Sequence, residues 1–401
     1  MSQAAVRNRA GERLPLAELA AVMAVIGAFA LSVGYTYPAI ALNLDAGGVS
    51  TTTIGVLAAI QGLGLLLSAI ALPTLTARFG AWRLAVWSLI ATALAIASFG
   101  MTENLAAWAV FRFLFGAGSN VLFVTCEVWV NVLAPASMRG RVIGAYTAIL
   151  SGLFACGPLL VPVLGYQGLA AFGTIAIVFL VLGLPLLRLK HAVPPVEETP
   201  FSELPRVMAA IPVLLLSIAT FSFFDGATFA LWVVYAFAQG LTETATVTTL
   251  SALVVGNIVL QYPIGWLADR MSRRLLLAGL AGVTFAGAIA LPALPLTHPL
   301  IYAFLFVWGA TAFGVYTLAV TLIGEHLTGA RLVAANAAFG IMWGLGLMLG
   351  PMVAGSVMAQ VGDIGLPLTA AAAYGILTIA ALALPPIRAS LRKFEGMDLG
   401  R

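Results

Sequence analysis

Charged residues are scarce in this 401-residue sequence: 8% are Asp, Glu, Lys or Arg, whereas 62% are hydrophobic. A soluble domain carries about 25% charged residues, so this chain cannot cover a water-exposed surface, and soluble proteins are excluded. The net charge of +4 does not indicate nucleic-acid binding, because the basic residues lie scattered through loops without a basic patch. We expect an integral membrane protein.

Cysteine and histidine are scarce as well, with two and three residues. Cys126 and Cys156 fall within hydrophobic runs, where we expect free thiols and no disulfide. The only metal-like spacing is Met348 with Met352, which is typical of helix packing. A nucleotide-binding Gly-x-x-x-x-Gly-Lys loop is missing from the sequence. We therefore predict no metal site, no cofactor and no enzymatic activity.

Long hydrophobic runs make up most of the chain. A membrane-spanning helix needs about 20 apolar residues, and twelve runs approach or exceed this length. They cover residues 17–42, 51–76, 82–101, 105–133, 140–164, 168–188, 209–237, 244–267, 274–294, 297–325, 331–359 and 365–387. The sequence predicts an all-α membrane protein with 12 transmembrane helices.

The basic residues lie on one side of these runs. Of the 19 Lys and Arg, all but Arg112 lie in the N-terminal segment, the alternate loops or the C-terminal tail. The opposite loops hold only the acidic residues Asp45, Glu103, Glu243 and Asp363. Basic loops stay in the cytoplasm, so we predict cytoplasmic termini. The Ala-, Gly- and Arg-rich composition favours a bacterial inner membrane.

A proline- and glutamate-rich stretch divides the runs into two sets of six, which repeat at an offset of about 192 residues. Gly157-Pro158 corresponds to Gly350-Pro351, and Gly116 to Gly309. We predict two pseudo-symmetric six-helix bundles around a central cavity. The predicted parts are a leader at 1–16, an N-terminal bundle at 17–188, a linker at 189–208, a C-terminal bundle at 209–387 and a tail at 388–401.

The loop "GWLADRMSRR" (265–274) resembles the signature loop of the major facilitator superfamily, with Ser272 where the family prefers glycine. Its first-half counterpart, "PTLTARFGAWR" (73–83), has Ala77 where the family places aspartate. The segment "RFLFGAG" (112–118) resembles the family's fourth-helix motif, and residues 152–165 partly resemble the fifth-helix motif of its proton-driven exporters. The residues that the resemblance assigns to gating are Gly265, Asp269, Arg270, Arg273, Arg274, Arg78, Arg83, Gly157, Pro158, Gly350 and Pro351.

The resemblance implies a secondary transporter whose two halves rock around a site near the membrane midplane, with Asp269 as a cytoplasmic latch. Two embedded charges, Arg112 and Asp225, fall at similar depths, within roughly 10 Å. We predict that they face each other across the cavity and that Asp225 exchanges the coupling proton. A permanent ion pair that holds the outer gate is the alternative.

Glu127 is the third embedded charge. It lies 15 residues beyond Arg112 on the fourth run, roughly 22 Å along a helix and near the cytoplasmic mouth. Two interpretations stay open. Glu127 is either a proton site that faces the cavity or part of an inner-gate ion pair with Arg78, Arg83, Arg139 or Arg141.

Amides and aromatic residues complete the predicted lining: Asn120, Tyr35, Tyr37, Gln61, Tyr146, Trp232, Asn257, Gln261 and Trp343. They suit a flat or amphipathic solute, and the three charges fit a zwitterion or a weak cation. We predict a monomeric, proton-coupled transporter whose partners are its small-molecule substrate, protons and the lipid bilayer. Export is favoured over uptake, and a metal importer and a transporter-like sensor are further alternatives.

Overall fold

The computed structural model describes residues 15–135, 138–191, 204–327 and 329–383. Within these ranges the secondary structure is entirely helical, and twelve helices are long and apolar enough to cross a membrane. The predicted fold class is confirmed. Most of the predicted leader and the whole predicted tail lie outside the described residues.

The N-terminal half contains six spanning helices. They are α1 (Leu16–Ala46), α2 (Thr51–Phe79), α3 (Ala81–Phe99), α4 (Leu105–Leu133), α5 (Arg139–Cys156) and α6 (Gly168–Gly183). Beyond Gly157, α5 continues as a 3-10 turn (Pro158–Leu160) and a short helix (Val161–Leu164), and α6 continues as a 3-10 helix (Leu184–His191).

The C-terminal half repeats this arrangement. Its spanning helices are α7 (Pro212–Ala238), α8 (Glu243–Arg270), α9 (Arg273–Ala290), α10 (Leu300–His326), α11 (Gly329–Val361) and α12 (Gly365–Ala383). Residues 204–208, which we assigned to the linker, belong to a short helix (Leu204–Ala210) that packs against α11.

Capping side chains explain where three of the helices begin. The side-chain oxygens of Ser50, Asn104 and Thr242 accept hydrogen bonds from backbone N–H groups in the first turns of α2, α4 and α8. These N–H groups have no partner within the helix, so a capping oxygen stabilises the chain reversal at the membrane boundary.

The packing of the helices follows the sequence repeat. Helix α1 packs on α5 as α7 packs on α11, and α2 packs on α4 as α8 packs on α10. Gly116 of α4 approaches the backbone of Gln61 so closely that a Cβ atom would clash, and Gly309 approaches Leu253 in the same way. Leu253 follows Gln61 by 192 residues and Gly309 follows Gly116 by 193 residues, so the two bundles share one packing pattern.

We call the two ends of the bundle the basic side and the acidic side, after the loops that carry the Lys/Arg residues and the Asp/Glu residues. The halves meet mainly through α2 and α11, where Thr51 Oγ1 donates a hydrogen bond to Gly355 O at 3.0 Å. This contact, and that of Ser251 Oγ with Ala155 O, lie toward the acidic side. In the described structure, α4 and α10 form no packed interface. The bundle is therefore closed on the acidic side and open between α4 and α10.

Candidate functional site

Arg112 is fully buried in α4, and Nη1 donates a hydrogen bond to Gln61 Oε1 of α2 at 2.8 Å. The Nε and Nη2 groups have no hydrogen-bond partner among the described residues. Nε and Nη2 form the edge of a guanidinium that binds a carboxylate with two parallel hydrogen bonds. Arg112 thus keeps its bidentate edge available inside the protein.

This polar pair occurs in one half only. The repeat that relates Gly116 to Gly309 relates Gln61 to Leu253 and Arg112 to Leu305, and both leucines are buried. The same backbone packing is therefore built with an arginine–amide pair in the N-terminal half and with two leucines in the C-terminal half. Packing alone does not require the charge of Arg112.

Tyr37 connects the two predicted charges. Its ring lies half-buried on α1, with its centroid 5.9 Å from that of Phe229 on α7. It is within electrostatic range of both Arg112 and Asp225. The structure thus brings Arg112, Tyr37 and Asp225 into one neighbourhood that draws on both halves.

Asp225 is half-buried near the middle of α7. The described structure contains no hydrogen bond or ion pair to its carboxyl group, and the predicted pair with Arg112 is not formed in this conformation. The sequence repeat relates Val33 to Asp225, because Gly34 packs on Phe154 as Gly226 packs on Leu347. Tyr35 and Tyr37 lie two and four residues beyond the position that corresponds to Asp225.

Glu127 lies on α4 nearer the basic side, with an exposed side chain in the gap between α4 and α10. Tyr146 of α5 and Tyr316 of α10 are within electrostatic range of it. Its carboxylate pairs with no arginine in the described part of the chain, and Arg139 donates to Asn131 O instead at 2.9 Å. The inner-gate ion pair is thus not formed in this conformation.

An aromatic cluster formed by α7, α10 and α11 contains the predicted residue Trp343, and its member Tyr316 is within electrostatic range of Glu127. Its members are Phe221, Phe313, Tyr316 and Trp343, with ring centroids 4.9 to 5.3 Å apart in four contacting pairs. Tyr316 and Phe313 were not among our candidates, although their i, i+3 spacing on a predicted helix was visible in the sequence.

The two predicted amides of α8 bond to each other. Gln261 Nε2 donates a hydrogen bond to Asn257 Oδ1, and Gln261 Oε1 is buried without a described partner.

Three candidates pack within their own halves. Asn120 Nδ2 donates to Ser68 Oγ of α2 at 3.0 Å, and the Tyr35 hydroxyl donates to Gly165 O at 2.7 Å. Trp232 is fully buried and donates to Thr249 Oγ1 of α8 at 3.1 Å. In this conformation the side chains join neighbouring helices of one bundle.

The loop resembling the family signature lies at the basic side. Arg273 forms an ion pair with Glu325 of α10 and lies 4.0 Å from Asp269. Arg274 donates to Ala381 O and Leu382 O at the end of α12. Arg270 stacks over Trp266, and Gly265 has open space around it. In the first-half loop, Arg78 lies over Phe79 and Arg83 is exposed.

The predicted glycine–proline pairs occupy matching close approaches. A Cβ at Gly157 would meet the backbone of Gly34 on α1, and one at Gly350 would meet the backbone of Phe223 on α7. Pro158 begins the 3-10 turn after α5, whereas Pro351 lies within α11 and faces Gly55 of α2. Both pairs are at helix contacts, where small residues allow close packing in lipid.

Known membrane transporters are similar to this chain in sequence. The chain is 25% identical over 338 residues to the uncharacterized transporter YfkF of Bacillus subtilis, covering 82% of this chain and 85% of that protein. It is 27% identical over 270 residues to the uncharacterized transporter YcaD of Escherichia fergusonii, covering 66% and 69%.

Solved structures agree at the level of the fold. A mutant of the nucleoside transporter NupG superposes with a TM-score of 0.77 at 13% identity, covering 92% of this chain and 99% of that one. An inward-facing, unoccupied bacterial homologue of the human lysosomal transporter Spinster superposes with a TM-score of 0.75 at 15% identity, covering 96% and 99%. The sequence profile of the Major Facilitator Superfamily matches residues 19–351 and, in a second match, 213–397. The chain therefore belongs to the major facilitator superfamily, whose members are membrane transporters and not enzymes.

Proposed function

We propose that this protein is a monomeric, proton-coupled secondary transporter that moves a small organic solute across a bacterial inner membrane by alternating access. The observation that carries the proposal is the carboxyl group of Asp225. It lies in the middle of a spanning helix, without a hydrogen bond or ion pair to any described residue. An ionised carboxylate in such surroundings is costly, so the group is suited to carry a proton.

Arg112 supplies the second part of the coupling. Its free Nε and Nη2 groups can donate hydrogen bonds to the Asp225 carboxylate when the halves move, and Tyr37 lies near both Arg112 and Asp225. A bidentate arginine contact favours the ionised carboxylate. In the proposed cycle, Asp225 binds its proton while the site is open to the acidic side. The proton leaves toward the basic side, and an approach of Arg112 to the carboxyl group favours that release.

Asp225→Asn tests this proposal. Solutes are first identified by the rise in melting temperature that they cause in the purified protein. They are then assayed in proteoliposomes for accumulation driven by a pH gradient and for counterflow without one. We expect the variant to lose gradient-driven accumulation and to retain counterflow, because solute exchange needs alternating access but no proton.

Asp45→Asn, on a partly exposed side chain at the acidic end of α1, is the matched control and should behave as wild type. Gradient-driven accumulation at the wild-type rate in Asp225→Asn would exclude Asp225 as the coupling group. If no stabilising solute is transported by the wild-type protein, the transporter proposal itself is contradicted.

We further propose that the basic side faces the cytoplasm, which makes the described conformation inward-facing. Alkaline phosphatase, which requires an oxidising compartment, should be active when fused in the loop at Glu103 and inactive at the C-terminus. Export is the favoured direction, supported by the partial fifth-helix motif at residues 152–165. Accumulation in inverted vesicles but not in right-side-out vesicles would agree with export, and the opposite result would establish uptake.

A further inference from the structure

The aromatic cluster formed by α7, α10 and α11 takes no part in the coupling proposed above. Phe221, Tyr316 and Trp343 come from three different helices, and each ring contacts the other two at centroid distances of 5.1 to 5.3 Å. Phe221 is fully buried behind the other two rings, whereas Tyr316 and Trp343 are partly exposed. The cluster therefore presents two accessible aromatic residues on a rigid support.

The carboxyl group within electrostatic range of this cluster has no ion-pair partner among the described residues. Glu127 is exposed in the gap between α4 and α10, and no ion pair to it is formed within the described chain. Its electrostatic neighbours are the hydroxyl-bearing rings of Tyr146 and Tyr316, and neither is a cation. Arg139, at the start of the next helix, is held by Asn131 O. A carboxyl group without an ion-pair partner thus lies within electrostatic range of an aromatic ring that faces the gap.

We propose that Glu127, Tyr316 and Trp343 form a binding subsite for the charged group of a lipophilic organic cation, which is the substrate class of the transporter proposed above. Aromatic faces attract cations through their negative charge density, and the attraction strengthens when water is excluded. The carboxylate adds a direct electrostatic contact, and the rings offer apolar surface for the rest of the molecule. Hard metal ions are disfavoured, because they require about six or more oxygen ligands, and the Glu127 carboxyl group with the Tyr316 hydroxyl supplies too few.

The subsite and the proton site use different carboxylates. Glu127 lies 15 residues from Arg112 on the same helix, roughly 22 Å along its axis, whereas Phe221, which supports the rings, lies one helical turn from Asp225 on α7. Asparagine keeps the shape of the Asp225 side chain, so binding of the cation at Glu127 should not require the Asp225 carboxylate. This separation allows the substrate class and the proton coupling to be tested independently.

Tetraphenylphosphonium and tetraphenylborate are suitable probes, because they have nearly the same shape and opposite charge. Binding is measured by equilibrium dialysis against the protein in lipid nanodiscs, with empty nanodiscs subtracted. We expect saturable binding of the phosphonium and none of the borate. Glu127→Gln and Trp343→Leu should each weaken phosphonium binding about tenfold, the effect of about 1.4 kcal/mol. Tyr316→Phe should retain it because the ring remains.

Glu103→Gln in an exposed loop is the matched charge control, and melting temperatures verify that each variant is folded. Asp225→Asn should bind the phosphonium as wild type does, whether or not it transports. Equal binding of phosphonium and borate, or unchanged phosphonium affinity in folded Glu127→Gln, would overturn the subsite. Loss of gradient-driven transport with intact binding in Asp225→Asn supports the coupling proposal separately. If the wild type binds the phosphonium but never transports a solute, only the transport proposal fails.

Discussion

Two of the contacts between the halves, α2 with α11 and α5 with α8, differ although the repeat makes them equivalent. Along α2 and α11, glycines bring the backbones together, as where Gly55 faces Pro351 and Gly62 faces Leu347. Along α5 and α8, the hydrogen bond from Ser251 to Ala155 at 3.1 Å lies near the acidic side, with the segment after Gly157 also against α8. Toward the basic side, Gly144 of α5 has no described atom within 4 Å of a Cβ.

The comparison indicates where the molecule can move. Helices joined backbone to backbone over several turns separate only with a large loss of contact, whereas a contact confined to one end allows the other end to swing. Gly144 lies 11 residues from Ala155, on the same face of α5 to within about 20°. Tyr262 lies 11 residues from Ser251 on α8 and is 82% exposed. Closure of the basic side would bring the Tyr262 side chain toward Gly144.

Substitution in the tight contact should have the largest effect on stability. In Gly62→Val, the added Cβ would lie 2.7 Å from Met348 N and 2.8 Å from Leu347 C, and backbone cannot yield as a flexible side chain does. We expect a loss of about 1–3 kcal/mol, typical of overpacking. Thermal unfolding in detergent measures it. Gly144→Val is the matched control with open space, and an equal drop in its melting temperature would contradict the comparison.

Substitution at Gly144, which should leave the stability unchanged, should have a large effect on transport. Gly144→Val should keep the wild-type melting temperature but lose most transport of any solute identified, because the added methyl groups obstruct closure against Tyr262. In a variant with Cys126→Ala and Cys156→Ala, a cysteine pair introduced by Gly144→Cys and Tyr262→Cys should cross-link only when the basic side closes. No cross-link under turnover conditions would show that these faces do not meet.

Smaller effects are expected from the hydrogen bonds that join the halves. Thr51→Val removes the hydrogen bond to Gly355 O, and Ser251→Ala removes a hydroxyl whose proton is shared between Ala155 O at 3.1 Å and Val247 O of its own helix at 3.0 Å. We expect each to cost about 0.5–1.5 kcal/mol. Ser251→Ala should also increase the fraction of molecules that are open on the acidic side, because fewer other contacts hold α5 against α8 than hold α2 against α11. Accessibility of an engineered cysteine near Ala155 to a membrane-impermeant reagent measures this. Equal accessibility in the two variants would remove the distinction between the contacts.

The smallest effect on stability is expected at Asp269. Its side chain is 77% exposed and lies 4.0 Å from Arg273, and exposed ion pairs contribute about 0–1 kcal/mol. Asp269→Asn should therefore unfold at nearly the wild-type temperature. If the loop is a latch for the closed basic side, transport should nevertheless fall. Unchanged transport would mean that Asp269 makes no contact of importance in either conformation.

The sequence predicted which helices carry polar residues better than it predicted what those residues contact. Arg112 and Asn120 of α4 were both expected to line the cavity. They instead reach Gln61 and Ser68 of α2, because glycines let α2 pack close beside them. Glu127, farther along the same helix, remains exposed. Helical periodicity defines the direction of a side chain about its own axis, but not the distance to the next helix.

The number of crossings and the two-fold repeat were determined by the sequence alone. In lipid every backbone polar group must be paired within the protein, so each long apolar run must be a helix. Equal spacing of glycines then gives equal packing in the two halves. Only the tertiary structure decided that Tyr37 lies near both Arg112 and Asp225 and that Tyr316 lies near Glu127. It also decided which side of the bundle is open. These features depend on contacts between residues far apart in the chain, and no local pattern encodes them.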